Sequence, residues 1–260
     1  MILYVTSFNE KLFNATGKKM LESFVYVKTE GHMLATYEGN VDLPKHRKII
    51  PCSLDDNEFL NDWLKDNADV IPTELGGEFT GKMDKYNFRA SQWFRKIVAL
   101  KEALKYKDDY EAIVFVDSDV RFKRTLTEEF MLSMLGDTAM FYHLGPFREE
   151  ADAGIESGFI GFHMKNGGVD FLETVFSKFK DKSYRKYRRW DDSYVFHNTV
   201  KERTDLKYTD VVPVFSREEM MKPGAGGCGH VIHRGPFAPY LKHLKGVHWQ
   251  KHGVEFKDEA

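Results

Sequence analysis

The sequence predicts an α/β protein with a mostly parallel central sheet flanked by helices, and three observations carry that reading. Short apolar, β-branched runs alternate with segments of helical periodicity along most of the chain. One run, Ala112 to Asp117 (AIVFVD), is too continuously apolar for a half-exposed strand and too short for a helix, so it reads as a central parallel strand. With 260 residues, 42% of them hydrophobic and 30% charged, the chain can bury a sizeable core as a single large domain.

The elements follow in order. Residues 2–8 (ILYVTSF) form a buried strand at the start of the chain. A helix is expected after Asn14, with Met20, Leu21, Phe24 and Val25 on one face. Residues 33–37 and 47–51 read as further strands, and a helix opened near Ser53 runs through Phe59, Leu60, Trp63 and Leu64. Residues 71–82 (IPTELGGEFTGK) are turn-rich and read as a loop. From Phe88 to Tyr106 the positions Ala90, Trp93, Phe94, Ile97, Val98, Leu100 and Leu104 mark an amphipathic helix. After the 112–117 strand come a helix near Thr127 with acids in its first turn, a strand at AMFYHL, a loop rich in Gly and acids, and the strand SGFIGFHM. Helices over 168–180 and 190–202 complete the pattern.

Charge and cysteine content narrow the function classes. Lys and Arg total 38 against 40 Asp and Glu, a net charge of −2, which excludes a globally basic binder of nucleic acid or membrane. The distribution is uneven: Lys178 to Arg189 (KFKDKSYRKYRR) holds seven bases and one acid, and no acid occurs from Lys222 to Val254. The first of these segments interleaves Phe179, Tyr184 and Tyr187 with its charges, a mixture that tracks phosphates and stacks on bases or caps a solvated helix end. Cys52 and Cys228 lack the number and spacing of a disulfide framework or metal site and read as free thiols. The opening residues do not form a secretion signal and no apolar run approaches the roughly 18 residues of a membrane span, so a cytoplasmic protein without membrane contact is expected.

The chemistry centres on Asp117-Ser118-Asp119, directly after the apolar strand. In extended chain, residues i and i+2 point the same way, so two carboxylates can converge on one hard cation. Open α/β sheets collect ligands at the carboxyl ends of their strands, and a divalent ion there would clamp a diphosphate and neutralise charge on a leaving group. A solvated turn bearing two acids would have the same sequence. Haloacid-dehalogenase-like phosphotransferases, in which the first Asp is the nucleophile, carry D-x-D after the first strand. Here more than a hundred residues precede it.

Other segments share the pattern of one family. Phe88-Arg89 and, one residue out of register, Phe94-Arg95-Lys96 precede the D-x-D; Glu156-Ser157-Gly158-Phe159-Ile160-Gly161-Phe162, Trp190-Asp191-Asp192-Ser193-Tyr194-Val195-Phe196 and His243-Leu244-Lys245-Gly246 follow it. With these motifs in order, the chain resembles the GT-A glycosyltransferases, and more narrowly small bacterial and phage transferases whose opening is similar to VTSFNEKLFNATGKKMLESF. The resemblance implies one GT-A (Rossmann-like) domain over residues 1–260: a nucleotide-binding half, 1–119, ending in D-x-D, and an acceptor half, 120–260, whose basic, His-rich tail completes the site.

It also implies roles. Asp117 and Asp119 would hold Mn²⁺ or Mg²⁺ against the diphosphate of a nucleotide sugar, with His243 as third ligand and His233 or His230 as alternatives; imidazole beside carboxylates suits Mn²⁺ better than Ca²⁺. Thr6, Ser7 and Asn9 would receive base and ribose, or simply start a helix. Arg89 and Lys96, seven residues apart on one helix face, would reach the diphosphate or donor sugar, and Ser118, Lys245 and Gly246 would adjoin it, Lys245 as a point charge. Asp192 and Glu156 are the candidates beside the anomeric carbon: a general base if the reaction inverts, a flanking polar group if it retains. Helix capping is the ordinary alternative for Asp191 and Asp192. Gly158 and Gly161 would admit a ligand close to the backbone or serve strand packing. At family level the acceptor is DNA bearing hydroxymethylpyrimidines; a small molecule or glycan is equally open. A D-x-D phosphotransferase and a non-catalytic nucleic-acid-binding module are the competing classes.

Overall fold

Strand β1 (Ile2–Asn9) begins the chain, and the Asn9 side chain ends it by accepting the Leu12 backbone N–H at 2.9 Å, which caps the short helix α1 (Glu10–Leu12). The computed structural model describes residues 1–72, 85–150, 152–212 and 235–243. A π-helical turn, Phe13–Gly17, links α1 to α2 (Lys18–Tyr26), so the first helical segment starts at Glu10, ahead of Asn14, after which the sequence places it. Gly17 permits this, because a Cβ there would lie 3.1 Å from the Phe8 ring.

Strands β2 (His32–Glu38) and β3 (Ile49–Ser53) lead to α3 (Glu58–Asn67), whose cap is Asn57 rather than Ser53. Helix α4 (Lys85–Phe88) precedes the long α5 (Ala90–Ala103), continued by a 3₁₀ turn to Tyr106. Then come β4 (Ala112–Val116), β5 (Val120–Phe122), α6 (Glu128–Leu135, capped by Thr127) and β6 (Met140–His143). The expected Gly- and acid-rich loop contains a further helix, α7 (Gly145–Glu150), before β7 (Glu156–His163). Helices α8 (Gly168–Lys180) and α9 (Asp192–Glu202) and strands β8 (Tyr208–Asp210) and β9 (Leu241–His243) complete the chain. Of the expected 71–82 loop, residues 73–82 lie outside the described residues.

Seven strands form one sheet in the order β3-β2-β1-β4-β7-β6-β8. All neighbours are parallel except β7, which is antiparallel to both β4 and β6. The alternation of side chains along each strand feeds two cores. Leu3, Val5, Ile113, Phe115, Ile160 and Phe162 pack with α5, α8 and α9 on one face. Ile2, Tyr4, Val114, Val116, Phe141 and Phe159 pack with α2 and α6 on the other. Burial on both faces is why β4 is an unbroken apolar run. No helix among the described residues is long and apolar enough to cross a membrane.

Gly161 belongs to this packing and not to a ligand site. It pairs with Phe141, and a Cβ on it would lie 2.2 Å from that ring. Gly161→Ala is therefore expected to destabilise the fold by about 1–3 kcal/mol, read as a lowered midpoint in chemical denaturation, because the enclosed ring must shift; an unchanged midpoint would contradict the packing described.

Candidate functional site

β4 delivers Asp117 to the end of the sheet where β1 also stops and where β7, running the opposite way, begins. The Asp117 N–H donates to Gly158 O at 2.8 Å, extending the β4–β7 ladder one step. The Val120 N–H donates back to Asp117 O at 3.0 Å, so the D-x-D forms a tight turn rather than the extended segment the i, i+2 argument assumed. After the turn, β5 pairs antiparallel with β9, placing Val120 opposite His243. Fully buried Phe237, against Phe141 and Phe159, anchors the segment that carries β9.

This brings together three side chains that could hold a metal ion. His243 Nε2 lies 3.0 Å from Asp119 Oδ1 and 3.9 Å from Asp117 Oδ2, and one ligand atom from each residue fits within 4.8 Å of the others. A Cβ on Gly158 would intrude here, 2.9 Å from Asp117 Oδ2 and 3.0 Å from His243 Cε1, so only glycine leaves the cradle open. Two carboxylates and one imidazole are a donor set that suits a divalent metal ion. Burial of Asp117 raises its pKa, with Lys96 opposing. Burial would lower that of His243, but its hydrogen bond to Asp119 and the surrounding acids push it up to about 9.

Lys96 rises from α5 into the same place. Its Nζ contacts Asp117 Oδ1 at 3.0 Å, Asp192 Oδ2 at 2.7 Å, and both Ser157 O and Ser157 Oγ at 3.1 Å. The two flanking acids raise its pKa against the pull of burial, keeping it charged. Neighbouring Arg95 turns away to Glu38, donating to Oε1 at 3.1 Å.

Asp191 and Asp192, adjacent in sequence, have different partners. Asp191 accepts both arms of Arg189 at 2.8 Å, and that guanidinium lies 3.6 Å over the Tyr86 ring. Asp192, first residue of α9 and buried, faces Lys96. Glu156 is also buried: Arg148 Nη1 reaches it at 3.3 Å while holding Gly154 O and Ile155 O, and Glu156 Oε1 accepts from Gly158 N–H at 3.3 Å. Sequence reading missed Ser157, inside a motif it had quoted, and Arg148, whose partners lie across a loop with no periodic signal.

The donor-side candidates spread out. Thr6 is fully buried and its carbonyl accepts the Thr36 hydroxyl at 2.9 Å; Ser7 is half-buried; Asn9 caps α1. Asn9, Asn14, Glu38 and Gly39 line a cavity of about 430 Å³ at the carboxyl ends of β1 and β2. Ser118 is half-buried in the D-x-D turn, and Arg89 is exposed where α5 begins. Lys245, Gly246, His230 and His233 lie outside the described residues.

The basic segment is partly committed to the protein's own acceptors, while Lys180, Lys186 and Arg188 stay exposed. Lys178 pairs with Glu202, Arg185 donates to Asn67 Oδ1 at 2.5 Å, Arg188 meets Asp152 at 2.6 Å and Arg189 meets Asp191. Phe179 and Tyr184 are fully buried, and the Tyr187 hydroxyl is bound to Glu202 at 2.6 Å. These rings are core and anchoring groups, not an open stacking surface.

No protein-family model matches the chain, and no curated protein sequence does. Solved structures do. Mouse xyloside xylosyltransferase 1 in its apo form aligns with 94% of this chain and 98% of its own at a TM-score of 0.52 and 10% identity. The apo bifunctional glycosyltransferase WbbM matches 81% of this chain and 38% of its own (TM-score 0.46, 14% identity). The galactosyltransferase LgtC, in complex with donor and acceptor sugar analogs, matches 77% and 70% (TM-score 0.44, 13% identity). The first of these likenesses is one of fold: the helix-flanked, mostly parallel sheet of this chain is that of the GT-A glycosyltransferases.

Proposed function

We propose that the chain is a metal-dependent glycosyltransferase that moves a sugar from a nucleotide-diphosphate donor to an acceptor hydroxyl, in the cytoplasm. The observation that carries this reading is the meeting of Asp117, Asp119 and His243 at the carboxyl end of β4 in a GT-A-type fold. Mn²⁺ or Mg²⁺ held there supplies electrostatic stabilisation of the diphosphate as it leaves. The cavity beside Asn9 receives the base and ribose, with Thr6 and Ser7 earlier on the same strand, and Ser118, Arg89, Lys245 and Gly246 adjoin the diphosphate and sugar. Asp192 and Glu156, each held by a buried cation, border the sugar and fix its orientation. The rings of the basic segment, Phe179 and Tyr184 buried and Tyr187 tied to Glu202, offer no stacking surface, which favours a small-molecule or glycan acceptor over hydroxymethylated DNA.

Purified protein with Mn²⁺ is expected to hydrolyse or transfer from at least one member of a panel of nucleotide sugars, and Asp119→Asn to lower that rate by about 10²–10³-fold. Running the panel with and without hydroxymethylated DNA tests the acceptor. If no donor is bound or turned over with Mn²⁺ present, the reading fails.

Metal binding should also depend on pH in a stated direction. The ligand is neutral imidazole, yet without metal His243 keeps its proton up to about pH 9. The proton competes with the metal below that value, so Mn²⁺ affinity should rise about tenfold per pH unit toward 9 and level off above it. Calorimetry in buffers of different ionisation enthalpy at pH 7 should show one proton released per ion bound, a release that disappears in His243→Gln.

A further inference from the structure

We propose that Lys96 is a positioning residue that partitions the carboxylates of the site, reserving Asp117 for the metal and keeping Asp192 out of its coordination sphere. This rests on the reading of Asp117, Asp119 and His243 as metal ligands.

The geometry of the ammonium carries the argument. Lys96 Nζ donates to both oxygens of Ser157 at 3.1 Å and lies 3.0 Å from Asp117 Oδ1 and 2.7 Å from Asp192 Oδ2, so the protein's own oxygens surround the ammonium and two carboxylates share its charge. The sequence places Lys96 on the diphosphate or donor sugar; the structure assigns it to the protein's own acids. It takes one oxygen of Asp117 and leaves the other, Oδ2, on the side facing His243. On its far side it holds Asp192, which is 2% exposed and so is shielded from bulk solvent. Both carboxylates touch one nitrogen, so both are near enough to be drawn to one divalent ion if that nitrogen were absent.

Charge points the same way. Asp117, Asp119 and Asp192 against Lys96 leave two formal negative charges, which match a single divalent ion. Without Lys96 there are three, and Asp192 becomes a fourth protein ligand in place of a group beside the sugar. The position is rigid: Phe94, two residues earlier, stacks on Trp63 at 4.1 Å, and the Lys96 ammonium itself lies 4.6 Å over the Phe115 ring.

The test is Mn²⁺ titration without any nucleotide, by calorimetry or by the EPR signal of the free ion, with melting temperatures to verify folding. Wild type, Asp119→Asn, Lys96→Met, Asp192→Asn and the double variant Lys96→Met/Asp192→Asn are compared, with Lys96→Gln as a second neutral replacement. Lys96→Met is expected to bind Mn²⁺ about tenfold more tightly or better, because a repelling charge has gone and a carboxylate has been freed. The double variant, which buries no unpaired acid and so folds even if Lys96→Met does not, is expected to return to near wild-type affinity. A brace that only supported the fold would give the opposite: weaker Mn²⁺ binding in Lys96→Met, not restored by the second substitution. That result, or unchanged affinity in both neutral variants, overturns the proposal while leaving the metal site intact. If the wild type binds no Mn²⁺, or Asp119→Asn binds it equally well, the metal reading falls and the partition with it.

Discussion

The antiparallel pairing of β7 with β4 is the constraint on which the site depends. In an all-parallel sheet the end of β4 would face the end of its neighbour, and each strand would bring its last residue to the rim. Because β7 runs the other way, it contributes its first residues instead, and Glu156, Ser157 and Gly158 arrive beside Asp117 while still held by ladder hydrogen bonds. Each does something different there. Glu156 anchors Arg148, Ser157 takes two of the contacts of Lys96, and Gly158 leaves the space in which three ligand atoms converge. One reversed strand thus supplies a rigid wall to a site that a loop would have supplied with less precision.

How much of this was legible in the sequence depends on the range of the interactions. The unbroken run before Asp117 revealed β4, because a strand buried on both faces has no polar alternation to keep. The α5 periodicity was equally plain. Strands β5 and β9 were invisible: three residues carry no period, and their partnership joins positions about 120 residues apart. His243 could be named from a short motif, but what brings it to Asp119 is Phe237 filling the second core, a packing fact without a local signature. The Asp191-Asp192 pair shows the same limit. Either residue could have capped α9; the choice was made by Arg189 stacking on Tyr86 and by Lys96 arriving from a different helix.

The basic segment shows composition misleading in a specific way. Seven bases within twelve residues look like a surface for polyanions, since the one acid among them, Asp181, and the neighbouring Asp191 and Asp192 do not balance them. The balancing groups come from elsewhere in the chain, Glu202 from the end of α9 and Asp152 from the turn before β7, with Asn67 of α3 as a neutral acceptor. Sequence-local charge measures what a segment brings to the fold, and only the fold decides how much reaches solvent. The same reasoning revises the near-neutral total, which here reflects acids and bases paired across long separations.

Buried charge is concentrated at one end of this molecule. Lys96 with Asp192, Arg189 with Asp191 and Arg148 with Glu156 are three ion pairs withdrawn from water in a neighbourhood where apolar residues would have been more stabilising. Evolution of a fold for stability alone gives no reason to collect them. Their common effect is that the carboxylates of the site are oriented before a ligand arrives, each against a fixed cation, so that binding costs little reorganisation. The two cations nearest Asp117 then differ in a useful respect. In the proposed reading protonated His243 would give up its proton to a metal, whereas Lys96, carrying a pKa raised by two acids, would keep its charge. Metal binding would then exchange a proton for an ion on one side of Asp117 and leave the other side as it was, so that one carboxylate could be both a ligand and a fixed point of the structure.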